Sequence, residues 1–137
     1  MKKLAVIVTR GTFNNLLQAC DLVRIAAANG TRVSVLFRDE AAARLTHDKV
    51  KQLPFSEGYR GREARVRELL RERKRDDLPA VLRGIKELGD VKWSVCRDSL
   101  DYFELGVEQL IPELDEVQTA EAFWKEEVAQ ADAIMTF

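Results

Sequence analysis

Residues 4–8 read Leu-Ala-Val-Ile-Val, an unbroken apolar run of strand length set within Lys3–Thr9. A strand with one wet face alternates; one covered on both faces does not need to, and such strands belong to parallel sheets packed between helices. Arg10-Gly11-Thr12 then turns the chain, with Thr12 or Asn14 as candidate N-cap. Phe13, Leu16, Leu17, Cys20, Val23 and Ala27 recur at helical spacing until Asn29-Gly30 stops them. Arg32–Phe37 returns to β-branched alternation. Together these pieces are a β-α-β unit, which implies parallel strands and a right-handed crossover. The two lysines ahead of the apolar run superficially suggest a secretory leader. The run is too short and meets Arg10 instead of small residues, so it is assigned as the first strand.

Further on, Asp39–Leu45 has the pattern of a short helix. No period holds from Thr46 to Gly61, where Pro54, Gly58 and Gly61 interrupt. Arg62–Arg75 is helical and basic, so 46–75 is expected to be a long, mobile, basic connection. A further helix starts near Asp77–Pro79, with Leu78, Val81, Leu82, Ile85 and Leu88 as its buried stripe and Gly89 as its end. Val91–Cys96 is a third strand and Asp98–Leu105 a short helix broken by Gly106. Leu110–Leu114 with Glu116–Gln118 suggests a short fourth strand, interrupted by Pro112. Thr119 can cap a helix through Ala131, and Ala133–Phe137 closes the chain as a strand. The expectation is one domain, 1–137: a three-layer α/β/α sandwich around a mainly parallel sheet of about five strands.

Chemistry concentrates at Val91–Leu100, Val-Lys-Trp-Ser-Val-Cys-Arg-Asp-Ser-Leu. Val91, Trp93 and Val95 alternate with Lys92 and Ser94, so Cys96 ends a strand and faces a helix start that Asp98 or Ser99 can cap. Open amides at a helix N-terminus favour a thiolate, and Arg97 adds positive charge. A small buried hydrophobe is the other reading open for Cys96. In parallel sheets ligands bind beyond the carboxyl ends of the strands. Three such ends share a pattern, Thr9-Arg10-Gly11, Phe37-Arg38-Asp39 and Cys96-Arg97-Asp98. If those strands are neighbours, Arg10, Arg38 and Arg97 would surround the thiol and tolerate an anion such as a persulfide. Cys20, on the apolar stripe of the first helix, is assigned to the core. His47, the only histidine, has no Cys, His or acidic partner at ligand spacing, so it is read as a solvated side chain. There is no dinucleotide or Walker A glycine loop, and nothing supports Ser-His-Asp catalysis.

Charge is uneven. Eight basic residues against three acidic ones lie in Arg60–Arg75, and eleven acidic residues against Lys125 alone in Asp98–Asp132. Such halves attract one another between subunits or serve separate partners. The basic run lacks the interleaved aromatics of single-strand nucleic-acid platforms, and its glutamates dilute it. No apolar run approaches the ~20 residues of a membrane span. Two cysteines far apart form no disulfide framework and fit a reducing, cytoplasmic location.

The C-terminal half, from the basic run through ELGDVKWSVCRDSLDYFELGVEQLI to AEAFWKEEVAQADAIMTF, resembles the DsrE/DsrF-like family, and most closely its DsrE2-type branch. The shared pattern is a helix ending in Glu-Leu-Gly, a short strand, the cysteine at 96, and a helix closing at Leu105-Gly106-Val107. The basic insert GREARVRELLRERKRDDLPAVLRGIKELG is similar to the branch's long connection ahead of its cysteine. Arg97, Asp98 and Asp101 stand where the branch is methionine-rich and apolar. The resemblance implies an α/β/α fold, trimers or hexamers, and a sulfur-relay role. Cys96 would hold sulfane sulfur as a persulfide and pass it to a TusA-like carrier or a rhodanese-like partner, with no metal or cofactor. The alternative is a non-enzymatic oligomeric binding or regulatory module on the same fold.

Overall fold

The structure, a computed structural model, describes residues 1–137. Five parallel strands form one sheet: β1 (Lys3–Val8), β2 (Arg32–Phe37), β3 (Val91–Cys96), β4 (Glu116–Gln118) and β5 (Ala133–Thr136), in the order β4-β3-β2-β1-β5. The helices are α1 (Phe13–Ala28), α2 (Asp39–Ala43), α3 (Glu63–Glu72), α4 (Leu78–Lys86), α5 (Arg97–Tyr102) and α6 (Ala120–Glu126). Stepping from β1 to β2 to β3 by right-handed crossovers puts α1 and α4 on one face of the sheet. The chain returns from the β4 edge to the β5 edge through α6, which therefore covers the other. This is the expected three-layer arrangement. No helix is long and apolar enough to cross a membrane.

The strand pleat sorts the side chains between the layers. Leu4, Val6 and Val8 join Val33, Val35, Phe37, Val91 and Trp93 in the main core beneath α1 and α4. Trp93, 1% exposed, stacks on Phe37 and donates its indole N–H to Leu82 O at 3.3 Å. Burying one such side chain stabilises the fold by about 1.5–3 kcal/mol. The opposite face is thinner. Ala5, Leu36 and Cys96 pack there against Phe123 of α6 and Val128 of the turn that follows it.

Local rules account for most boundaries. The Asp77 carboxylate caps α4 by accepting from Ala80 N–H, and Pro79 lies in the first turn, where no backbone donor is needed. Thr119 caps α6 through Ala122 N–H at 3.1 Å. Three expectations need correction. The helix after β3 starts at Arg97, which makes Cys96 itself the N-cap residue instead of Asp98 or Ser99. Leu110–Leu114 is not a strand; Leu110 forms an isolated antiparallel bridge with Thr46, and Ile111 N–H donates to Leu45 O. Gly89 lies beyond the end of α4 and answers a close approach, since a Cβ there would sit 2.7 Å from Ala27 O. Residues 46–61 carry no long element but do hold two short 3-10 turns, Lys49–Lys51 and Glu57–Tyr59. Leu53 enters the main core, Phe55 stacks between Phe13 and Tyr59, and the Arg67 guanidinium lies 4.7 Å from the Phe55 ring centre.

Candidate functional site at the end of the third strand

Strand order brings the three arginine-bearing ends together, because β3, β2 and β1 are consecutive in the sheet. Val95 pairs with Phe37 and Cys96 with Gln118, so Arg38 follows directly beside Cys96 on one side and Gln118 flanks it on the other. Cys96 is wholly buried. As N-cap residue it stands before the free amides of the first turn of α5, with Asp98 and Ser99 at the second and third helical positions. An N-cap side chain ordinarily accepts from those positions. The neutral thiol makes no conventional cap bond there, whereas the thiolate is stabilised by the same amides.

The electrostatic balance at Cys96 favours the anion. Burial pushes the thiol upward. Against this act the Ser99 N–H, the Ser99 hydroxyl, the Arg38 guanidinium and the Asp98 N–H, and the net result lies below the ordinary thiol value. Ser99 is itself fixed, since its oxygen accepts from Asp39 N–H at 2.7 Å. Asp39 adopts φ 52°, a left-handed conformation that asparagine and aspartate tolerate better than most residues. Two strand ends thus converge on one sulfur.

Of the expected cations, Arg38 acts on the thiol. Arg97 opens α5 and is not among the groups shifting it. Arg10 is exposed at the end of β1, two strands away, where its carbonyl accepts from Asn15 Nδ2. Sequence reasoning named Ser99 only as a cap and missed its action on sulfur; it also missed Gln118. Gln118 is 6% exposed and donates to Glu126 at 3.2 Å. Four buried side-chain polar atoms in the protein have no partner, and three of them are Arg38 Nε, Ser94 Oγ and Gln118 Oε1, all beside or just below Cys96. Buried polar groups are normally paired, so unused hydrogen-bonding capacity is concentrated around this thiol.

The layer over the site is held by a second cluster. Glu127, just past α6, accepts from the Ser34 hydroxyl, from Lys92 at 2.9 Å and from Lys3 at 3.0 Å. Burial alone would raise its carboxyl; Ser34, Lys92 and Lys3 together bring it down to about 2. Cys20 presents the opposite environment: desolvation in the core pushes its thiol up to about 12. His47 is exposed on the connection. No three His, Cys, Asp or Glu side chains are grouped as a metal would require.

Fold and site define a parallel α/β sandwich with a partnered cysteine at a strand end. Residues 2–137 match the model of the DsrE/DsrF-like family, and the chain belongs to that family. The match does not single out the DsrE2-type branch. The fold is similar to that of the ychN protein from E. coli, with 20% identity, a TM-score of 0.62 and complete coverage of both chains. It is also similar to MTH1491 from Methanobacterium thermoautotrophicum, a protein of unknown function, with 14% identity, a TM-score of 0.60 and coverage of 98% and 99%. No curated protein matches the sequence.

Proposed function

We propose that the protein is a sulfur carrier or sulfurtransferase that holds sulfane sulfur as a persulfide on Cys96 and passes it to a protein partner. The observation that carries this is the placement of Cys96 at the N-cap of α5 beside the end of β2, where Ser99, Arg38 and the Asp98 amide favour the thiolate. In loading, the Cys96 thiolate attacks the outer sulfur of a donor such as thiosulfate. A new S–S bond forms, the donor's S–S bond breaks, and sulfite leaves with the bonding pair. In unloading, an acceptor thiolate attacks the outer sulfur and Cys96 leaves as thiolate. Neither step needs a metal or cofactor. Arg38 and Ser99 stabilise the anion on either sulfur, and Arg97 beside Cys96 with Arg10 two strands away supplies positive charge at the same end of the sheet for an anionic donor or partner.

The partner class is a small TusA-like or rhodanese-like protein, and the working form is a trimer or hexamer in the reducing cytoplasm, where two free cysteines are expected to persist. One observation favours the alternative of a non-enzymatic binding module: Cys96 is 0% exposed, so transfer requires the layer containing Phe123 and Val128 to open. The deciding experiment is single-turnover transfer. Protein loaded from thiosulfate and freed of donor is mixed with a reduced carrier thiol protein. Movement of one sulfur atom to the carrier, absent with Cys96→Ser, supports the relay. A loaded Cys96 that never discharges to any carrier supports the module.

A further inference from the structure

The basic run is only partly used by the fold. Arg60 pairs with Glu57 and Arg65 with Glu68. Arg67 donates to Leu53 O and covers Phe55. Arg75 pairs with Asp21 of α1. The end of α3 closes with Arg75 N–H on Leu70 O and Lys74 N–H on Arg71 O, the paired pattern that places a left-handed residue just past a helix. That residue is Lys74, at φ 57°, where glycine is the usual occupant.

The turn so formed borders a cavity of about 350 Å³ between α1 and α4, in the helix layer on the face of the sheet away from Cys96. Its charged lining is Arg24, Arg73, Lys74 and Arg75, with no acidic side chain. Of these four only Arg75 has an ion-pair partner. The floor is apolar, supplied by Val81, Ile85 and the half-exposed Leu88. Gly84 lies between them on α4, and a Cβ built there meets nothing within 4 Å. Gly84 is exposed, so a side chain placed there would project into the open groove without meeting a neighbour.

We infer that this cavity is a binding site for a small amphipathic anion, its acidic head held by Arg24, Arg73 and Lys74 and its apolar body laid along Val81, Ile85 and Leu88 over Gly84. The volume suits one small ligand. Arg24, Arg73 and Lys74 are exposed cations on one rim with no carboxylate among the lining residues, so their attraction for an anion depends on ionic strength. A nucleotide, through the face of its base, and an alkyl phosphate, through its chain, can each lay a non-polar surface on this floor while presenting an anionic phosphate to the rim.

The test titrates the full-length protein with 8-anilinonaphthalene-1-sulfonate, whose sulfonate and fused rings match that description, and reads fluorescence at low and high salt. Saturable binding weakened by salt is expected. Arg24→Glu combined with Lys74→Glu should weaken it tenfold or more. Gly84→Leu should abolish it by filling the cavity, with an unchanged or higher melting temperature because leucine is the better helix former. Displacement by decyl phosphate or by AMP supports the site and separates the two ligand sources. Wild-type affinity in both variants, displacement by neither compound, or displacement by a single-stranded oligonucleotide alone would overturn it.

Discussion

The Ser99 hydroxyl oxygen accepts a 2.7 Å hydrogen bond from Asp39 N–H, and that one contact joins the strand end carrying Arg38 to the strand end carrying Cys96. Ser99 thereby orients its own O–H toward sulfur. Removing it exposes two dependencies at once. Ser99→Ala should move the pH profile of Cys96 alkylation upward and slow the reaction at neutral pH, because two of the four groups lowering the thiol are the Ser99 hydroxyl and amide and the first is lost. It should also destabilise the protein by about 0.5–1.5 kcal/mol, the net worth of a typical hydrogen bond, since the bond to Asp39 N–H is half-buried. An alkylation profile identical to wild type would remove Ser99 from the site.

Arg38 and Arg97 are distinguishable by the same assay. Arg38→Leu should raise the thiol and slow iodoacetamide labelling at neutral pH, whereas Arg97→Leu should leave both unchanged. Throughout, Cys20 should stay unlabelled until denaturant unfolds the chain, since it is 2% exposed and its thiol is pushed up to about 12. Equal labelling of both cysteines in the native protein would contradict the assignment.

How much of this was readable beforehand depends on range. The apolar run at 4–8, the alternation of Val91–Cys96 and the Asp77–Pro79 helix start are local patterns, and each became the expected element. The meeting of Arg38 with Cys96 was conditional on strand order, which β3-β2-β1 satisfies. The role of Ser99 was hidden because its partner, Asp39, is sixty residues away and the helix begins at Arg97. Glu127 was read only as one acid in an acidic third; its partners come from β1, β2 and β3. Leu110–Leu114 has strand-like composition, but its backbone is claimed by Leu45 and Thr46.

Glu127 should make stability depend on acid. Its folded value near 2 lies below its ordinary 4.5, so its contribution is fully present above about 4.5 and is lost as pH falls toward 2. Glu127→Gln should lower the melting temperature at pH 7 and flatten its dependence between pH 5 and 2, relative to wild type. Parallel wild-type and variant curves across that window would show that the carboxylate is not coupled to folding.

Access to Cys96 should be controlled by Phe123, which is 1% exposed and packs in the same cluster. Phe123→Leu keeps an apolar side chain but thins the cover, and should speed alkylation of Cys96 severalfold while costing less than about 2 kcal/mol. Unchanged labelling would place the entry route elsewhere.

The sheet ends in two edge strands, β4 and β5, each paired on one side only, with Ile134 of β5 and Trp124 of α6 exposed. Edges of that kind need covering. Light scattering at moderate salt should give a mass well above the 15.6 kDa of one chain. A monomer over a wide concentration range would count against the proposed trimer or hexamer.

The central claim is that Cys96 takes up sulfane sulfur, and intact-protein mass spectrometry after incubation with thiosulfate tests it most directly. Wild type and Cys20→Ser should each gain the mass of one sulfur atom, removable by a thiol reductant, and Cys96→Ser should gain none. No adduct on the wild-type protein, or an adduct that survives in Cys96→Ser, would contradict it.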